Sequence, residues 1–264
     1  MIDAARPKAD MEMAPIDWQG QAIDCSRCAY QYLHDTGGCE VGRACVQDRY
    51  ARRIDRFLRW HPKLGNELIE HPHFEVRAIA VRHADLFKLP ALIRDEDETV
   101  RLHVALRVPQ RLLAQMAQDP HREVRIRVAQ RLDTDLLPAL MRDEDYLVRQ
   151  LVAQRLPEAL LPLMLNDPDS GVRQELARRL EMPALWRLVQ DPACEVRRVL
   201  AQRLPLGLLG ALAQDSDLLV RWEVVQRAPR DVLQAMACDV DEEIRQQVAQ
   251  RLQPPSNPTG EHHG

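Results

Sequence analysis

Residues 119–132 read Asp-Pro-His-Arg-Glu-Val-Arg-Ile-Arg-Val-Ala-Gln-Arg-Leu. Asp suits a helix N-cap, and Pro suits a first turn, where no amide partner is lost. Asp167-Pro168 and Asp191-Pro192 repeat this start. From Val124 onward the apolar residues fall at helical spacing: Val124, Val128, Ala129 and Leu132. The Val-Arg pair inside this stretch recurs without slippage, as Val76-Arg77, Val100-Arg101, Val124-Arg125, Val148-Arg149, Val172-Arg173, Val196-Arg197, Val220-Arg221 and Ile244-Arg245. The interval is 24 residues throughout, and a fixed period of this length marks a stacked-repeat solenoid. Eight units are expected over residues 61–252. Pro109, Pro157, Pro205 and Pro229 stand where their helices should stop.

The remainder of each unit carries a second apolar pair at a spacing of three, such as Leu89 and Leu92, Leu137 and Leu140, or Leu209 and Leu212. With Pro90, Pro138 and Pro162 close by, this spacing predicts a short 3₁₀ helix, which has three residues per turn. Two full helices need a repeat of about 33–47 residues, so 24 is too short for them. The leucine-rich strand pattern is absent, and so is β-branched alternation. The expected fold is all-α.

Helical angles sort the columns. With Val100 at zero, Val104, Val108 and Ala105 fall near 40°, 80° and 140°, at about 100° per residue. Arg101 and its equivalents lie inside that apolar arc, where a charge needs a partner. The same period supplies one, in Asp95, Asp119, Asp143, Asp167, Asp191, Asp215 and Asp239, each six residues before an Arg. We expect an Asp–Arg ladder between neighbouring repeats. The first unit has His71 in place of the Asp, and Gly65 where others have Leu.

A second column, Arg107, Arg131, Arg155, Arg179, Arg203, Arg227 and Arg251, lies at the edge of the arc in the last helical turn. It can serve the helix C-terminus. The less favoured alternative is a basic stripe, one Arg per repeat, that meets an acidic protein or a phosphate chain. Trp222, Leu102 and Ile126 share an outward column and are candidate contact residues.

Four cysteines fall in the segment before the repeats: Cys25, Cys28, Cys39 and Cys45, spaced C-x₂-C-x₁₀-C-x₅-C. Gly37-Gly38 and Gly42 let the chain turn to bring in the third and fourth. Four thiolates satisfy a structural Zn²⁺ or an iron–sulfur cluster, and the spacing matches neither standard ferredoxin pattern. On pattern alone zinc is slightly favoured. His34 is a possible further ligand. Cys194 and Cys238 are isolated and read as ordinary repeat residues. A helix from about Gln47 to Trp60 follows the cluster. Its apolar side (Tyr50, Ile54, Phe57, Leu58) is expected to cap the first repeat. Its Arg49, Arg52, Arg53, Arg56 and Arg59 form a solvated basic face or a docking face for an acidic redox partner.

Net charge is −4 with an isoelectric point near 6.2, which argues against a dedicated nucleic-acid binder. No apolar run approaches the roughly 18 residues of a membrane span, and the first twenty residues have no signal-peptide core. The expected location is the cytoplasm, where clustered thiols point to metal rather than cystine. Residues 1–20 and 253–264 read as flexible ends, 21–60 as the cluster domain with its capping helix, and 61–252 as the repeats.

A 24-residue helical repeat behind a four-Cys segment resembles the leucine-rich repeat variant (LRV) proteins of bacteria. The residues that carry the likeness are the Val-Arg…Val-Ala-Gln-Arg-Leu helices and Cys25, Cys28, Cys39 and Cys45. The resemblance implies α-helices alternating with 3₁₀ helices in a right-handed solenoid without β-sheet. It implies a [4Fe-4S] cluster, against the lean toward zinc, and a setting in nitrogen-fixing bacteria. It carries no activity. Three roles follow in order of preference: a scaffold for a protein partner with a structural or redox-sensing cluster, an electron-transfer protein docking an acidic partner, and a zinc-stabilised scaffold. No phosphate loop, nucleophile elbow or His-Glu metal motif points to an enzyme.

Overall fold

The computed structural model describes residues 14–253, in two compact units that divide between Leu136 and Leu137. The proposed flexible ends fall mostly outside the described residues, at 1–13 and 254–264. Residues 14–20 correct that reading, because they are held in place. Asp17 Oδ1 accepts the Gln19 and Gln21 amides at 2.9 and 2.7 Å, Arg49 N donates to Ile16 O at 3.1 Å, and Trp18 stacks on His73 with ring centres 5.7 Å apart.

Each unit is an all-α stack of repeats. The described residues hold no strand, only three isolated bridges. In the first unit the helix Phe74–Val81 packs on Glu98–Ala105, and that in turn on Arg122–Arg131. In the second the order is Tyr146–Arg155, Ser170–Arg179, Cys194–Arg203, Leu218–Arg227 and Glu242–Leu252. The predicted apolar arc is the core: Val100, Val104, Ala105 and Val108 are fully buried, as are Val148, Val152, Ala153 and Leu156. No described helix is long and apolar enough to cross a membrane.

The helix starts differ from the sequence reading by two residues. Asp119-Pro120 does not open its helix, which runs Arg122–Arg131 with His121 as N-cap. Asp119 instead accepts the His121 amide at 2.9 Å, closing a turn ahead of the helix. The capping role falls two residues later, to Asp97, Asp145, Asp169, Asp217 and Asp241, whose side chains accept first-turn amides. The reason is competition: the ladder Asp is already committed to an Arg of the preceding repeat.

In three repeats a Pro at the fifth position of the second half blocks an α-turn; two others are 3₁₀ with Trp186 (Leu185–Leu188) or Gly210 at that place. Pro90, Pro138 and Pro162 sit inside the 3₁₀ helices Leu86–Leu92, Thr134–Leu140 and Glu158–Met164, and Gly210 takes that place in Leu206–Leu212. Proline has no N–H for an i→i−4 bond, and its ring clashes with that carbonyl. Where Ala114 or Gln234 stands there instead, α-turns form at Gln110–Leu113 and Arg230–Ala235. Gly65 has its own explanation. A Cβ there would lie 2.8 Å from His83 Cβ and 2.9 Å from the Ala84 nitrogen, so no Leu fits.

The ladder is bidentate and runs between repeats. Arg101 Nε and Nη2 donate to the two carboxylate oxygens of Asp119 at 2.7 and 3.0 Å, while Nη1 donates to Asp95 O at 2.8 Å in its own repeat. The pairs Arg77–Asp95, Arg149–Asp167, Arg173–Asp191, Arg197–Asp215 and Arg221–Asp239 repeat this geometry at 2.6–3.1 Å. His71 keeps part of the role of the missing Asp: its Nδ1 accepts the His73 amide at 3.0 Å, as Asp95 accepts that of Asp97. Burial and the neighbouring His73 hold the His71 pKa below its ordinary value, which suits an acceptor.

Burial alone would raise the Asp215 pKa, but hydrogen bonds from Arg197 and the Asp217 amide outweigh it and hold the carboxyl below its usual range. A lowered folded pKa contributes stability above the unfolded value of about 3.9, and this is lost as pH falls through the folded pKa. Acid unfolding of the wild type should therefore begin only below about pH 4. Asp215→Asn should flatten that limb of the pH–stability curve; an unchanged slope would contradict the assignment.

Candidate metal centre

Each cysteine is delivered by a different local device. Asp24 accepts the Ser26 amide at 3.0 Å and caps the 3₁₀ turn Cys25–Arg27, which sets Cys25 and Cys28 one turn apart. The helix Gln31–Asp35 ends at Gly37, φ +75°, where the Gly38 amide returns to Leu33 O at 2.6 Å and Cys39 follows. At Gly38 a Cβ would press on Leu33 and His61 at 3.2–3.3 Å. A turn at Glu40–Arg43 with Gly42 at φ +77° then reverses the chain, and the Glu40–Ala44 bridge closes it just before Cys45. The glycines thus do what the sequence suggested: positive φ costs them nothing.

The result is one cavity lined by all four thiols, with Ile23, Tyr30, Val41, Val46 and Phe57 as apolar walls and His34 at its border. Burial pushes the Cys25 thiol up, with the Cys28 charge adding to it, and pushes Cys39 up with Cys28 and Cys25 adding. Burial pushes Cys45 up to about 12, opposed by the backbone dipoles of the nearby Gln47 and Asp48 amides. The thiols therefore feel one another in a site with apolar walls. Positive metal charge would favour the thiolate forms, and four sulfurs with no lining carboxylate suit a thiophilic metal or cluster. Among the described residues, no three His, Cys, Asp or Glu converge closely enough to hold a single metal ion. The Tyr30 amide donates to Cys28 Sγ at 3.4 Å.

Three contacts tie the site to the first repeat. Tyr30 OH donates to Glu67 Oε1 at 2.9 Å, and burial together with that bond raises the phenol pKa and keeps it protonated. His61 Nε2 lies 2.6 Å from Gly38 O. Phe57 packs between the rings of Tyr30 and His61, at 5.7 and 5.1 Å.

The capping helix begins at Ala51 rather than Gln47, because Asp48 holds the Tyr50 amide at 2.9 Å and keeps residues 47–50 in a turn. Ile54, Phe57 and Leu58 are buried as expected. Arg53 departs from the solvated face: it is 2% exposed and donates from Nη1 to the fully buried Asp48 at 2.9 Å. The missed signal was the period itself. Arg53 stands 24 residues before Arg77, and 18 residues after it, where the ladder Asp belongs, comes His71.

The second Arg column reaches back onto the preceding helix. Arg203 donates to Ala177 O and Leu180 O at 2.8 and 2.6 Å, Arg227 to Ala201 O and Leu204 O at 2.6 and 2.9 Å, and Arg179 to Ala153 O at 2.6 Å. Arg107, Arg131 and Arg251 donate likewise to Val81, Ala105 and Val225 carbonyls. These are the unpaired carbonyls of helix C-termini, where a cation is favoured. Trp222 is half-buried. Cys194 starts a repeat helix and Cys238 is exposed; neither lines the four-thiol cavity.

Residues 15–67 match the family described as the LRV protein FeS4 cluster. An uncharacterized 27.7 kDa protein in the nifB 3′ region of Rhodobacter capsulatus is 47% identical over 95 residues, which span 36% of this chain and only 39% of that relative. A solved structure described as a leucine-rich repeat variant with a novel repetitive structural motif superposes with a TM-score of 0.81 at 42% identity, covering 87% of this chain and 99% of that one. With its helical 24-residue repeat and its four-cysteine segment, the chain belongs to the leucine-rich repeat variant family and is an iron–sulfur protein with a repeat scaffold.

Proposed function

We propose that Cys25, Cys28, Cys39 and Cys45 hold a [4Fe-4S] cluster, and that the repeats form a cytoplasmic, non-enzymatic scaffold for a protein partner. The observation that carries the reading is the single cavity lined by four thiols and no carboxylate. A cluster so held supplies one-electron chemistry, and four Cys ligands leave it no open substrate position. The chain's own residues wall the site with apolar side chains and bond it to the first repeat through Tyr30 and His61. The R. capsulatus relative in a nifB 3′ region favours a setting in nitrogen-fixing bacteria.

Protein purified without oxygen should be brown, with about four iron and four sulfide per chain. Cys28→Ser should lose most of both. A colourless protein carrying zinc would overturn the cluster and leave only the scaffold. A second reading, electron transfer to a docked acidic partner, draws on the partial exposure of Cys25, Cys28 and Cys39. Reversible reduction at accessible potentials would favour it; an irreducible cluster would leave the structural role.

A further inference from the structure

Arg53 stands in the register of a ladder arginine and is paired with Asp48. It occupies the register of Arg77 and Arg101, but His71 offers it no carboxylate at the usual distance of 18 residues. Its Nη1 instead donates to Asp48 Oδ2 at 2.9 Å, in a pair that is 2% and 0% exposed. The other end of the same residue faces the cysteine: the Cys45 amide donates to Arg53 O at 3.2 Å. Arg53 therefore brackets residues 45–48, by its carbonyl at the first and by its guanidinium at the last. Asp48 is fixed further by the Tyr50 amide at 2.9 Å and by its bridge to Asp17. Inside this bracket lie the Gln47 and Asp48 amides, whose backbone dipoles favour the Cys45 thiolate against its burial.

We infer that Arg53 and Asp48 are positioning residues for the metal centre, holding the Cys45 loop so that two backbone amides stay aimed at the ligand sulfur. The inference rests on the four-cysteine reading above. Hydrogen bonds to ligand sulfur are among the terms that set a cluster's potential, and partners behind a ligand stabilise the bound metal. The repeat architecture thus enters the metal site through its first, redirected arginine.

The test compares Asp48→Asn and Arg53→Lys with Arg101→Lys, which breaks a bidentate Arg–Asp pair away from the cysteines. The holoproteins are compared for rate of metal release to a chelator, midpoint potential and the electron paramagnetic resonance of the reduced cluster. Asp48→Asn and Arg53→Lys should release metal about 10-fold faster or more. Their potential should fall and their spectrum shift as the two amides turn from the sulfur, while Arg101→Lys should leave all three unchanged. Unchanged release, potential and spectrum in the two bracket variants would overturn the inference, as would equal effects from Arg101→Lys. If neither bracket variant folds, the wild-type holoprotein still decides. Its Gln47 and Asp48 amide protons should resist exchange in deuterated solvent, and their rapid exchange would refute the bracket. A protein that binds zinc defeats the cluster reading alone, since the release and exchange measurements read the bracket with either metal.

Discussion

Asp167→Ala is expected to remove about 3–5 kcal/mol from the stability of the second unit. The carboxylate accepts Arg149 Nε and Nη2 at 2.7 and 3.0 Å and the Asp169 amide at 2.9 Å. Its side chain is 5% exposed and that of Arg149 is 10% exposed. An exposed ion pair contributes only about 0–1 kcal/mol. Burial moves this pair into the other regime, because truncation leaves a guanidinium facing a methyl group with little water to replace the lost acceptor. Chemical denaturation measures the loss, and a change below about 1 kcal/mol would put the pair in the surface class. Arg149→Met combined with Asp167→Leu should cost much less than either half alone, since no charge is then stranded. Repeats touch only their neighbours, so the damage should stay local. Hydrogen exchange should rise first in Tyr146–Arg155 and Ser170–Arg179 and least in Leu218–Arg227.

Removing the metal is the other large perturbation. Between Asp24 and Asp48 the chain has one 3₁₀ turn and one helix of five residues, too little hydrogen-bonded structure to stand alone. Of its four central thiols, Cys25, Cys39 and Cys45 have their pKa raised, by burial first and by neighbouring negative charge second. Metal binding in such small sites contributes folding free energy on the order of 10 kcal/mol. Chelation should therefore abolish amide protection across residues 24–48 and expose Tyr30 and Phe57, while Arg122–Arg131 in the same unit keeps its protection. Hydrogen exchange with mass readout, before and after chelation, checks this. Protection retained through Cys45 after complete metal loss would show that the thiol site is preformed.

The repeats were legible because their chemistry is periodic. The arc of Val100, Val104 and Ala105 and the Asp–Arg pairing follow from angles and spacing alone. The helix starts were misread for a specific reason. Asp-Pro is a good N-terminus in isolation, but Asp119 has a stronger claim on it from Arg101, and no local rule sees a partner 18 residues away. Arg53 was misread because its own helix looks amphipathic with a basic side, and only the period places it inside. The four cysteines and the turning glycines were readable as a set. Their closeness to the first repeat was not, since Tyr30–Glu67 and His61–Gly38 join segments with no shared pattern.

The ladder also explains why the period never slips. One guanidinium, such as that of Arg101, grips the carbonyl six residues behind it and the carboxylate 18 residues ahead, and these two spans together make the whole period of 24. A single codon gained or lost in either span pulls a buried charge off its partner. A change in length by complete units, in contrast, leaves both spans of every guanidinium intact.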